Sequence, residues 1–248
     1  MAGDWTCHWM RDCVQYVIDE LNRQGLVQPW VPASAVWEGI LAPCQACRST
    51  TKRPNHRKCR GWRLVFSGHQ ALIFRPTTMR KRTLQVSLEG CFDVQRPHTP
   101  RAPWEQAPMR ECSAVLRLID PASGKLLTRQ HLDLANDGQS GTAWHLQLGG
   151  VGSTDDKEWR RVVAAARWPS GPIDFMLFVE LALFLFHWDS WTDLRTRPAW
   201  RSYVQVTEDL VLPHYVDVLR GYLNQRTSQT SWLAKQCNII GSLKPRPQ

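Results

Sequence analysis

The chain has 248 residues, 43% apolar and 21% charged, with 31 Lys and Arg against 22 Asp and Glu and a formal net charge of +9. Such a composition collapses into a core, which excludes disordered and collagen-like chains, and no internal repeat marks a solenoid or propeller. Residues 1–25 carry Asp4, Asp12, Asp19 and Glu20 and no long apolar core, so no secretory signal is expected there. The eight cysteines are then expected to stay reduced, in an intracellular protein of the nucleus or cytoplasm.

Asp4 can cap a helix over residues 5–23, on which Trp5, Trp9, Cys13, Val17 and Leu21 form an apolar stripe and after which Gly25 is a stop. Pro29 and Pro32 predict an extended link, and residues 34–41 a short helix halted by Pro43. A β region follows. Residues 61–67 and 70–75 read as a hairpin around Gly68 and His69, and residues 83–88 alternate with period two. The prolines of residues 95–110 predict a loop. Residues 113–119 and 125–134 form a second hairpin across Asp120 to Gly124, and residues 143–148 a further strand. The short links make these strands antiparallel.

After residues 149–153 the pattern turns helical. Residues 155–168 predict one helix, ended by Pro169. The apolar run 173–188 is 16 residues long and contains Asp174 and Glu180, whereas a membrane span needs about 20 residues. It therefore reads as a buried core helix. Residues 200–206 are extended or helical, residues 210–226 hold a helix starting at Pro213, and residues 228–239 a last one. Of the thirteen tryptophans, the four between residues 159 and 191 are expected to pack the C-terminal helices.

The positive charge is local. Residues 39–88 contain no Asp or Glu and eleven basic residues, so this window is +11 and the remainder −2. A concentrated field of one sign accelerates capture of an opposite partner, and nucleic-acid phosphate is the commonest such partner. Inside the window, Cys44, Cys47, His56 and Cys59 follow the spacing C-x2-C-x8-H-x2-C. A CxxC turn brings two thiolates to one zinc ion, and a second close pair completes a tetrahedral Cys3His site. Residues 48–55 are polar, with little to bury, so a metal is a sensible way to order them. His69 and His98 are alternative ligands, and a second site from Cys7, His8, Cys91 and Cys112 is open to spacing alone. Isolated cysteines otherwise read as small buried side chains.

Enzyme motifs are lacking. Ser140, between glycine-rich neighbours, reads as a loop residue. Pro43 and the CxxC match half of the zinc-deaminase signature, without the preceding His-x-Glu. Residues 231–240 hold Leu233 and Cys237 four apart. They resemble the BC box by which cellular and viral receptors bind elongin C. Trp232 stands where that pattern has a small residue, and the closing apolar residue is one position early.

The fold expected is α+β: a helical segment over residues 1–42, a zinc-stapled basic module and antiparallel sheet of about six strands over 43–150, a helical cluster over 151–240, and a loose tail over 241–248. The function expected is non-catalytic. A Zn2+-ordered module binds DNA or RNA through Arg48, Lys52, Arg53, Arg57, Lys58, Arg60 and Arg63, with Trp62 either stacking on an unpaired base or anchoring the first strand in the core, and Arg80, Lys81 and Arg82 as a second patch. The composition is that of viral regulatory and accessory proteins. The alternative is an adaptor that captures a host protein and recruits an elongin and cullin ubiquitin ligase through Leu233 and Cys237.

Overall fold

A computed structural model describes residues 7–28, 41–43, 61–79, 81–95, 109–134, 144–148 and 167–224. Helix α1, Cys7–Arg23, buries Met10, Cys13, Val14, Val17, Ile18 and Leu21, which recur every three or four residues on one face. Its end is a Schellman motif. Gly25 adopts φ +66°, Leu26 donates its N–H to the Leu21 carbonyl at 2.8 Å, and Gly25 donates to Asn22 at 2.9 Å.

Among the described residues nine strands form one antiparallel sheet: β1 Leu41–Pro43, β2 Gly61–Phe66, β3 Leu72–Ile73, β4 Thr77–Met79, β5 Arg82–Gln95, β6 Met109–Ile119, β7 Leu126–Leu134, β8 Trp144–Leu148 and β9 Arg167–Pro169. Their order is β1-β2-β5-β6-β7-β8-β9, with β3 and β4 also paired to β5. All six strands expected from the sequence are present; β1, β4 and β9 are additions. Period-two alternation sets the faces. Trp62, Leu64 and Phe66 of β2, Val86, Leu88, Phe92 and Val94 of β5, and Cys112, Ala114 and Leu116 of β6 are buried on one side. The strand register puts these residues opposite one another, as in Leu64 with Phe92 and Leu116 with Leu88.

Several expectations are corrected. Residues 61–67 and 70–75 do not pair as a hairpin: β2 and β3 lie end to end along β5. The break between them is a 3-10 turn, Gly68–Gln70, with Gly68 at φ +59°. Glu89 holds the turn, accepting the Gly68 N–H at 3.2 Å while pairing with Arg117 at 2.6 Å. The tight hairpin is β4–β5, where Met79 faces Arg82 across a two-residue turn. The expected strand over residues 83–88 is part of β5, fourteen residues long. Leu41 belongs to a strand rather than a helix end, and Trp168 lies in β9, paired with Leu146, rather than in a helix. The rest of those two expected helices lies outside the described residues, as does the one over 228–239.

Helix α2, Phe175–Phe186, lies across the apolar sheet face. Phe175 meets Phe66 edge-on at 5.6 Å and Phe178 meets Phe92 at 6.5 Å. Asp174 caps it, its Oδ1 accepting the Leu177 N–H at 2.9 Å. Helix α3 is Trp188–Thr196, and α4 runs unbroken from Pro198 to Asn224, with Pro213 inside it rather than at its start. Trp200, Val204, Leu210 and Val211 are buried before that proline, half-buried Tyr215 packs against the core beyond it, and the proline ring itself is exposed. One continuous apolar core joins α1, the sheet and α2 to α4. No helix among the described residues is long and apolar enough to cross a membrane.

Candidate functional site

The register of β1 on β2 frames the cysteine-rich segment. Pro43 faces Trp62, and Ala42 faces Arg63. The chain therefore leaves the sheet at Pro43 and returns at Gly61 with both ends of residues 44–60 fixed side by side. Closing a loop costs entropy that rises with its length, and strand pairing at its base meets that cost before any ligand is gathered. Cys44, Cys47, His56 and Cys59, with Arg48, Lys52, Arg53, Arg57, Lys58 and Arg60, lie outside the described residues. So do Arg80, His98, Leu233 and Cys237, and the side chain of His8.

The base of residues 44–60 and the β4–β5 turn are far apart. Gly61 of β2 lies opposite Gln95, the last residue of β5, and the β4–β5 turn lies before Arg82, its first. At about 3.3 Å per residue, β5 separates the base of residues 44–60 from Lys81 and Arg82 by roughly 40 Å. Arg75, Lys81 and Arg82 are exposed. Lys81 occupies the turn at φ +68°. A lysine there costs about 1–2 kcal/mol relative to glycine. Arg63 sits on the polar side of the sheet, pairing with Glu111 at 3.1 Å and donating to the Cys91 thiol at 3.5 Å. Trp62, beside it, is wholly buried on the apolar side. The base-stacking role expected for Trp62 is thereby corrected: a ring inside the core is closed to a nucleotide.

The cysteines of the possible second metal site are not assembled. Cys112 faces the core, with the Ile173 carbonyl 3.5 Å from its thiol, whereas Cys91 is on the opposite side of the sheet beside Arg63. Burial pushes both thiols up, and the Arg63 hydrogen bond offsets this only in part at Cys91. Among the described residues no three His, Cys, Asp or Glu side chains are grouped to hold a metal ion. His69 stands in the turn after β2, six residues along the Glu89 to Gln95 stretch of β5 from the base of residues 44–60.

Two arrangements were not anticipated. The first is buried. Glu180 accepts hydrogen bonds from the Trp191 indole at 2.8 Å, the Arg195 guanidinium at 2.8 Å and the Trp200 indole, so one carboxylate ties α2 to α3 and α4. The second is exposed. Phe184, Leu185 and Trp188 are 45%, 40% and 53% exposed. The Phe184 ring centroid lies 5.3 Å from both Trp188 and Trp191, and those two indoles are 5.0 Å apart. Arg195 covers the other side of Trp191 at 5.5 Å. The spacing of Phe184, Trp188 and Trp191 was visible as a helical stripe, but in so apolar a stretch it read as core. Trp188 is instead a surface residue, a correction to the expected packing of the C-terminal tryptophans.

No family model, curated protein or solved structure matches this chain.

Proposed function

We propose that the protein is a non-catalytic nucleic-acid-binding regulatory or accessory protein, acting inside the cell, with residues 44–60 ordered by zinc. Cys44, Cys47, His56 and Cys59 supply the metal ligands, and Arg48, Lys52, Arg53, Arg57, Lys58, Arg60 and Arg63 the phosphate contacts. The observation that carries this reading is the run of eleven basic and no acidic residues over 39–88. The joined bases of residues 44–60 support it, because a loop closed at its stem is easier to order with one metal ion.

The test is zinc content beside binding. Full-length protein purified without chelator carries one zinc per chain, and the Cys44→Ser/Cys47→Ser variant carries none. Binding of a DNA duplex and an RNA hairpin weakens with salt, and Arg57→Glu/Lys58→Glu/Arg60→Glu flattens that dependence. Zinc-free wild-type protein, or a salt slope untouched by the triple change, overturns the reading.

A second reading is an adaptor that captures a host protein and recruits an elongin and cullin ligase through Leu233 and Cys237. The exposed aromatic cluster on α2 and α3 favours it, since contiguous exposed apolar surface marks protein contacts. Loss of elongin C capture on changing Leu233 and Cys237 to Ala tests it.

A further inference from the structure

The aromatic cluster does not stand alone at its end of the molecule. Thr77 of β4 donates its hydroxyl to the Phe186 carbonyl at 3.4 Å, and Phe74 stacks on His187 at 5.3 Å. The β4 strand is therefore seated against the end of α2, and its turn follows within four residues, at most roughly 13 Å of extended chain. Along β5, α2 runs from Phe92 towards Val86, so its last residues point to the same end as the turn. Exposed rings and exposed cations thus share one end of the fold. The described charges near it are Arg75, Lys81, Arg82 and Lys125 against Asp120 and Asp189; Asp193 is engaged by Arg197 and by Gln24. The balance is positive.

We propose that Phe184, Leu185 and Trp188, together with Lys81 and Arg82 of the β4–β5 turn, form a docking site for an acidic protein segment bearing a hydrophobic anchor. The anchor covers the exposed faces of Phe184 and Trp188, and the carboxylates of the segment meet the turn. Aromatic side chains beside cations are the composition enriched at protein interfaces. Leu185 offers nothing for a base to stack on, and four cations offset by two carboxylates in the described set are few for a polyanion groove. The lysine at positive φ fits the same picture: its charge is kept where glycine would be the relaxed choice. The proposal goes beyond the nucleic-acid reading and does not depend on zinc. It supplies a capture surface for the adaptor reading without resting on the elongin contact.

The experiment is fluorescence anisotropy on the full chain with a labelled peptide of about 15 residues in which Glu alternates with Leu and Phe anchors on one helical face. Three comparison probes are the same peptide with Lys in place of Glu, an anchor-free Glu peptide, and oligo-dT. Vesicles of phosphatidylcholine with phosphatidylserine serve as a fourth. The Glu peptide with anchors binds best. Its Kd rises about tenfold in Trp188→Ala and again in Lys81→Glu/Arg82→Glu, and the charge-reversed protein now prefers the Lys peptide. Lys81→Gly relaxes the turn, so its Tm does not fall while its Kd rises. If Trp188→Ala lost its fold, the charge reversal and Lys81→Gly would still decide. Equal binding of Glu and Lys peptides by the wild type, or a Kd unmoved by both the ring and the charge changes, overturns the proposal. So does a face whose variants lose only oligo-dT, or only the vesicles.

Discussion

At the scale of single residues, the two acids buried around α2 make opposite demands on the fold. Asp174 is fully buried at the helix start. One carboxylate oxygen accepts the Leu177 N–H, and Oδ2 has no hydrogen-bond partner among the described residues. The ionisable groups that face it are the thiols of Cys13 on α1 and Cys112 on β6, neither of which supplies positive charge. Burial pushes its pKa up from 3.8 to about 7, against the helix-cap hydrogen bonds. The folded state thus holds the proton more tightly than the unfolded one. Its contribution is fully present below about pH 4 and is lost as pH rises through about 7, on the order of 4 kcal/mol in all. Asp174→Asn keeps an N-cap oxygen and removes the ionisation. Urea unfolding between pH 5 and 8 is expected to show a variant more stable than wild type at pH 8, with a flatter profile; parallel profiles would refute this account. The Glu180 carboxylate is met by the Arg195 guanidinium at 2.7 Å and accepts from two indoles. Glu180→Ala strands three buried or half-buried donors. It is expected to cost about 3 kcal/mol in urea unfolding, discounted from the fully buried case because Arg195 is partly exposed.

At the scale of elements, the long central strand shows why sequence reading stopped short. Residues 83–88 alternate cleanly, but Glu89, Gly90 and Cys91 look like a break: a charge, a residue with no side chain, and a thiol. In the sheet each has a physical reason. Glu89 neutralises Arg117 and fastens the 3-10 turn that splits β2 from β3. Gly90 makes room for two rings. A Cβ there would stand 2.6 Å from Phe92 Cε2 and 3.0 Å from Phe66 Cε1, and those rings are stacked at 6.2 Å. Gly90→Ala is therefore expected to destabilise the protein by about 1–3 kcal/mol, measurable as a lower urea midpoint with little change in slope; an unchanged midpoint would show that the rings yield freely. Local alternation thus located β2, β6 and β7, whereas β3 and β4 are set by their lateral partners on β5, Leu88 and Ser87 for β3 and Leu84 for β4. Helix α4 teaches the same lesson from the other side. Pro213 reads as a helix start, yet one helix runs through the ring, with Leu210 and Val211 buried before it and half-buried Tyr215 packed against the core after it. For the candidate site, the cysteine and histidine spacing of residues 44–60 was legible without any fold. The aromatic face was not, because an apolar stripe on α2 looks alike whether a neighbour covers it or solvent does.

At the scale of the whole molecule, the sheet sets the base of residues 44–60 and the turn that carries Lys81 and Arg82 at opposite ends. Residues 44–60 leave and rejoin at the β1–β2 end, and Lys81 and Arg82 stand at the far end of β5 beside the aromatic face. The roughly 40 Å of β5 between that base and the turn is several screening lengths at physiological ionic strength, where the Debye length is about 8 Å. On the proposed function, phosphate contacts gathered at that base and the cations of the turn act as two fields, and a ligand of ordinary size meets one or the other. Changes at the two clusters should then be independent, as expected for sites more than about 10 Å apart with no shared partner. For a short DNA duplex, Arg57→Glu/Lys58→Glu/Arg60→Glu is expected to lower the salt slope of log K by about 2–3, at close to 0.9 for each phosphate no longer neutralised, and Lys81→Glu/Arg82→Glu by less than about 1. The combined variant should show the sum of the two. Titrations at four salt concentrations measure this. An equal fall from either cluster, or a combined fall well beyond the sum, would mean that one ligand spans the sheet from end to end, and the two basic clusters would then have to be read as a single extended surface.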